Sequence, residues 1–173
     1  MPAVTIDIKP IIIGVIGSNR DDSPAMAEAR LIGEEIAKRG YVLLTGGGTG
    51  IMKAASEGAY RAGGLVVGIL PGERGKGAPG YPNEFVHIPI YTGMSDGRNS
   101  ITAKTPDVII ALPGGLGTIS ELAIALKSGI PVIGIEAPCL QSPGDATFHR
   151  ANSVEEAMKI LNRLLSSRNN IRT

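Results

Sequence analysis

The run Ile11-Ile12-Ile13-Gly14-Val15-Ile16-Gly17 decides how the rest of the chain is read. Its apolar positions are consecutive rather than alternating, the pattern of a strand covered on both faces, and such strands belong to parallel sheets. Glycine closes the run, so the chain turns at once. Ser23-Pro24 then supplies a helix N-cap followed by proline at the first helical position. Met26, Ala29, Ile32, Ile36 and Ala37 line one helical face, and Gly40 ends it.

The same unit recurs along the chain. Apolar runs predict strands at 41–44, 65–70, 86–88, 107–112 and 132–135, with an edge strand at 146–149. Amphipathic stretches between them predict helices at 49–61, 94–104, 118–127 and 154–165. The last of these opens with Ser153 and Glu156 at capping-box spacing. Residues 71–84, rich in glycine and proline, read as a long exposed loop, and the tail from 166 as a frayed end. Strand–helix alternation with short turns predicts an α/β, Rossmann-like doubly wound fold: a mainly parallel sheet with helices on both faces, one domain with its core at about 11–165.

Composition narrows the function. Among 173 residues there are 17 basic and 16 acidic side chains, a net charge of +1. Duplex nucleic acid and anionic membranes need concentrated basic charge, so neither is an expected partner. With two Phe, four Tyr and no Trp, little is available for stacking along a single strand. The lone Cys139 excludes an internal disulfide and a multi-cysteine zinc site, and the absence of a signal-peptide pattern suits a cytoplasmic protein. No metal site is expected: His87 and His149 stand singly in apolar runs and read as structural. Lys53, Lys76 and Lys104 read as solvated charges.

What composition leaves over is glycine, 24 residues and about twice the usual share. Three clusters follow predicted strands: Gly17-Ser18, then Gly46-Gly47-Gly48-Thr49-Gly50, then Gly114-Gly115-Leu116-Gly117-Thr118. In a doubly wound sheet, ligands bind beyond these strand ends. Exposed backbone N–H groups with helix N-termini behind them suit a phosphate or another oxyanion. Gly17, Ser18, Gly46, Gly47, Gly48, Thr49, Gly114, Gly115, Gly117 and Thr118 are therefore the candidate anion-binding residues. Glu121 lies three residues after Thr118, so the two could form a capping box; alternatively the carboxylate serves the anion site itself. A dinucleotide oxidoreductase is excluded, because Gly14-Val-Ile-Gly17-Ser-Asn lacks Gly-x-Gly-x-x-Gly and no acid closes the second strand.

Gly46-Gly-Gly-Thr-Gly-Ile-Met52 and Pro113-Gly-Gly-Leu-Gly-Thr-x-x-Glu121 together resemble the LONELY GUY (LOG) family, long mislabelled as lysine decarboxylases. The resemblance implies a Rossmann-like, homo-oligomeric protein, a dimer or tetramer, that binds a nucleotide-like phosphate and requires no cofactor. Met26, Ile32 and Met94 would offer apolar surface for such self-association. Hydrolases of the family split a nucleoside 5′-monophosphate into base and ribose 5-phosphate. On that pattern Glu121 is the catalytic carboxylate and Arg98 its partner. Cytokinin-activating hydrolases carry Arg-Lys where this chain has Arg98-Asn99, and two adjacent acids where it has Ser120-Glu121. The Asp-x-Arg-Asn pattern is instead similar to a subgroup that includes molybdenum-cofactor carrier proteins, which bind a phosphorylated pterin without turning it over. The ligand implied is molybdenum cofactor or a nucleoside monophosphate.

Overall fold

The computed structural model describes residues 9–140 and 147–169. Seven strands form one sheet, each pair parallel: β1 Ile12–Ile16, β2 Val42–Thr45, β3 Val66–Leu70, β4 Ile88–Tyr91, β5 Val108–Ala111, β6 Val132–Ile135 and β7 Phe148–Ala151. Their spatial order is β4-β3-β2-β1-β5-β6-β7. The chain thus walks outward from β1 through β4, returns to pair β5 with the other edge of β1, and walks outward again. The direction of winding reverses between β1 and β5, where such sheets open a crevice.

Helices α1 Met26–Lys38, α2 Ile51–Arg61 and α5 Val154–Asn169 cover one face, and α3 Asn99–Lys104 and α4 Leu116–Lys127 the other. Pleat alternation assigns the strand residues to these layers. Ile13, Val15, Val108 and Ile110 pack toward α1, α2 and α5. Ile16, Ile109 and Ala111 pack toward α4. The two central strands are therefore apolar throughout, as Ile11–Gly17 requires.

Glycine also sets the closeness of α1 and α2. A Cβ on Gly33 would collide with the Ala55 carbonyl, and one on Gly58 with the Arg30 carbonyl. The two backbones touch because neither position carries a side chain.

Several boundaries differ from the sequence reading. Ser23-Pro24 sit in a turn, and α1 begins at Met26 with Ala25 as an N-cap that makes no side-chain bond. Helix α2 starts at Ile51 rather than 49, because Gly50 takes a left-handed φ of 61° just before it. The helix expected at 94–104 divides into a 3-10 turn, Ser95–Arg98, and the short α3. Strand β4 lies two residues later than expected and β7 likewise, leaving Ala146 outside the described residues. Both are edge strands, where one-sided burial weakens the apolar signal; Pro89 within β4 is tolerated for the same reason. At α5, Ser153 Oγ accepts from Glu156 N–H as expected, but the Glu156 carboxylate accepts from the Asn152 N–H instead of closing the box on Ser153.

The largest departure concerns α4. It begins at Leu116, two residues before Thr118, with Gly115 as N-cap in an extended conformation (φ −92°, ψ −152°) and no side-chain capping bond. Thr118 is then the third helical residue, so it cannot cap, and the Thr118–Glu121 capping box does not form. That removes the structural explanation for Glu121.

Candidate functional site

The tips of β1, β2 and β5 are tied into one floor. Ser18 N–H donates to the Pro113 carbonyl across the β1–β5 switch (2.9 Å), and the Ser18 carbonyl accepts from Ile51 N–H at the head of α2 (2.8 Å). Thr49 Oγ1 donates to the Asn19 carbonyl at 2.6 Å. Above this floor lies a cleft of about 290 Å³. Gly17, Ser18, Gly115, Gly117, Thr118, Arg98 and Glu121 all line it.

Each remaining candidate has a different job. Gly46 makes room: a Cβ there would strike the Arg98 guanidinium and lie 2.7 Å from the Met52 sulfur. Gly47, at φ 73°, turns the chain, and its N–H donates to Thr45 Oγ1 at 3.0 Å. Gly48 packs beneath Tyr81, and its carbonyl accepts from Asn83 Nδ2 at 2.9 Å. Gly114 is required by Thr118, whose side chain a Cβ would overlap. The second glycine cluster therefore supports the cleft without lining it.

Gly115 and Gly117 stand apart. Neither has a left-handed φ, and an added Cβ would meet nothing within 4 Å at either. No contact within the chain requires glycine at either position, and at Gly117, inside the helix, it costs about 1 kcal/mol relative to alanine. Leu116 between them is 84% exposed. With no side-chain cap on α4, the backbone N–H groups of its first turn are open to a ligand, and the helix dipole adds positive potential.

Glu121, one turn further along α4, lines the same cleft; it is only 7% exposed and hydrogen-bonded by none of the described residues. Burial pushes its pKa up from 4.5 to about 7, while the charge of Arg98 pulls it down. Arg98 makes no ion pair with any described acid; its Nη1 donates to the Ile69 carbonyl at the end of β3 (3.0 Å). The cleft thus presents a fixed cation, open amides, and a carboxyl that carries a proton about half the time near neutral pH.

The two departures from the hydrolase pattern meet in space. Asn99 Nδ2 donates to Ser120 Oγ at 2.8 Å, and the Ser120 hydroxyl donates to the Gly117 carbonyl at 2.7 Å. A neutral hydrogen bond joins the heads of α3 and α4 at the positions where those hydrolases carry charges.

Sequence reasoning missed Asn19, Met52, Tyr81, Asp96 and Asn99 as cleft residues. Tyr81 was the most accessible of these, as one of only four tyrosines and set within the glycine-rich loop. Lys53 and Lys76 pair with Glu84 and Glu73. Among the surfaces named for self-association, Ile32 is fully buried in the core and Met26 packs against it, while Met94 is 50% exposed. Among the described residues no helix is long and apolar enough to cross a membrane, and no group of three His, Cys, Asp or Glu side chains could hold a metal.

Comparison with known proteins matches residues 10–166 to the SLOG cluster4 family. A molybdenum cofactor binding protein from the phototrophic bacterium Rippkaea orientalis superposes with a TM-score of 0.81 at 36% identity, over 91% of this chain and 99% of that one. The Moco carrier protein from Chlamydomonas reinhardtii gives 0.79 at 33% identity, over 92% and 99%. The cytokinin riboside 5′-monophosphate phosphoribohydrolase LOG of Oryza sativa subsp. japonica is 34% identical over 97 residues, 53% of this chain. The match spans only 37% of that enzyme's length.

Proposed function

Because the chain belongs to the SLOG cluster4 family, we propose that it binds and carries a phosphorylated, nucleotide-like small molecule, with molybdenum cofactor the leading ligand. The phosphate sits on the open amides of Gly115, Leu116 and Gly117, with Ser18, Thr118 and Arg98 lining the same cleft. Glu121 in its protonated form donates a hydrogen bond to an anionic oxygen. The observation that carries this reading over turnover is the Asn99–Ser120 bond, which puts a neutral pair where the related hydrolases place charge. Near-complete coverage of two molybdenum-cofactor proteins, against a partial match to the hydrolase, supports it. The protein acts in the cytoplasm as a homo-oligomer, in keeping with a free exposed Cys139 and with Ile88, Ile90 and Met94 exposed near one edge of the sheet.

One observation favours a second reading, phosphoribohydrolysis. A carboxyl with a pKa of about 7 is well matched to proton transfer at neutral pH, and Arg98 is placed to orient a phosphorylated ribose. Ionised, Glu121 would stabilise an oxocarbenium-like sugar or activate water.

Incubation with adenosine monophosphate, assayed for adenine and ribose 5-phosphate, separates the two. The carrier reading expects no product, together with saturable uptake of the pterin cofactor. Product that disappears in Glu121→Gln would overturn it in favour of the hydrolase.

A further inference from the structure

Beyond Ser18 and Gly115 the cleft does not end. These two residues also border a second, more open groove of about 350 Å³, walled by Pro24, Pro113 and Arg20. Each space alone lies near the lower limit of the roughly 300–1,000 Å³ typical of small-molecule sites, whereas the two joined fall well inside that range.

The two spaces differ in chemistry. Arg98 and the open amides make the first suited to an anion. In the second, the Arg20 guanidinium is already held by Asp22 through two bonds, Nε to Oδ1 at 2.9 Å and Nη2 to Oδ2 at 2.8 Å. That pair has no net charge, so the groove lacks the uncompensated cation of the first and offers proline faces and a guanidinium plane. A flat uncharged ring fits such walls. Between the spaces lies Gly115, extended, unhindered on its side-chain face and required as glycine by no contact within the chain.

Resting on the phosphate-binding reading above, we propose that the ligand is of dinucleotide length. Its pyrophosphate crosses the Ser18–Gly115 saddle. One half occupies the cleft under Arg98 and Glu121, and the ring of a second nucleoside lies against Pro24 and Pro113. The bareness of Gly115 follows: with no Cβ, no side chain stands where the pyrophosphate crosses the saddle.

Calorimetric titration with adenosine monophosphate and with diadenosine 5′,5″-pyrophosphate tests this. The dinucleotide is expected to bind at least about tenfold tighter. Ser23 lines the second groove and not the first, and its side chain makes no hydrogen bond among the described residues. Ser23→Trp, which fills that groove, is expected to erase the tenfold gain and to leave the monophosphate affinity at the wild-type value, which also reports an intact fold. Equal affinities for the two nucleotides in the wild type, or a gain that survives Ser23→Trp, would overturn the dinucleotide proposal while the phosphate reading stands. Failure of both nucleotides to bind would overturn both.

Discussion

Glu121 links folding to pH. Its folded pKa of about 7 exceeds the ordinary 4.5, so the native state holds this proton more tightly than the unfolded chain. Stability from this group is therefore complete below pH 4.5 and is lost as pH rises through 7, by about 3 kcal/mol in all. Glu121→Gln keeps the uncharged shape. It should raise stability by up to about 3 kcal/mol at pH 8 and hardly at all at pH 4, read by urea denaturation at both; an equal effect at the two pH values would contradict the burial argument. Binding follows the same proton. If only the protonated carboxyl accommodates an oxyanion, Kd rises above pH 7 by up to about tenfold per unit, and Glu121→Gln flattens that profile. Gly117→Ala tests the neighbouring amides with opposite signs. Stability should rise by about 0.5–1 kcal/mol, because alanine fits the helix without contact, while adenosine monophosphate affinity should fall at least about tenfold. Losses in both would mean that this glycine serves the fold after all.

At the scale of elements, the α1–α2 contact answers differently. Gly33→Ala or Gly58→Ala drives a methyl group into a backbone carbonyl that cannot rotate away, so each should cost about 3 kcal/mol in denaturant unfolding. The central strands were legible because residues 13–16 and 108–112 are buried on both faces and are apolar at every position. The start of α4 was not: Gly115 and Gly117 are poor helix residues, and Thr118 imitates a cap, so local preference pointed two residues too late. The site was legible in part for the same reason. Glycine turns mark where strands end, so Gly17, Ser18, Gly115, Gly117 and Thr118 could be found. Tyr81, Asp96 and Asn99 reach the cleft from a loop and short helices whose placement depends on the whole sheet. Nothing in local periodicity encodes that approach, nor the Asn99–Ser120 bond between segments 21 residues apart.

For the molecule as a whole, the position of the site matters as much as its residues. The cleft draws on both halves of the winding, so a bound ligand stabilises all of it at once. Adenosine monophosphate at 100 times its Kd should add about 2.7 kcal/mol. Amide exchange should slow both at 17–19 and at 115–118; protection of one stretch alone would show that the cleft is not bridged. The strand order has a consequence for the chain as it is made. Strands β1 to β4 are neighbours in sequence and in space, but β1 meets β5 through pairs such as Ile13 and Val108. At a synthesis rate of about 5–20 residues per second, the first wall of the cleft leaves the ribosome some 5–20 seconds before the second. A chain wound this way cannot close the cleft around any ligand during translation until β5 and the head of α4 have emerged, so under the carrier proposal loading waits for both walls.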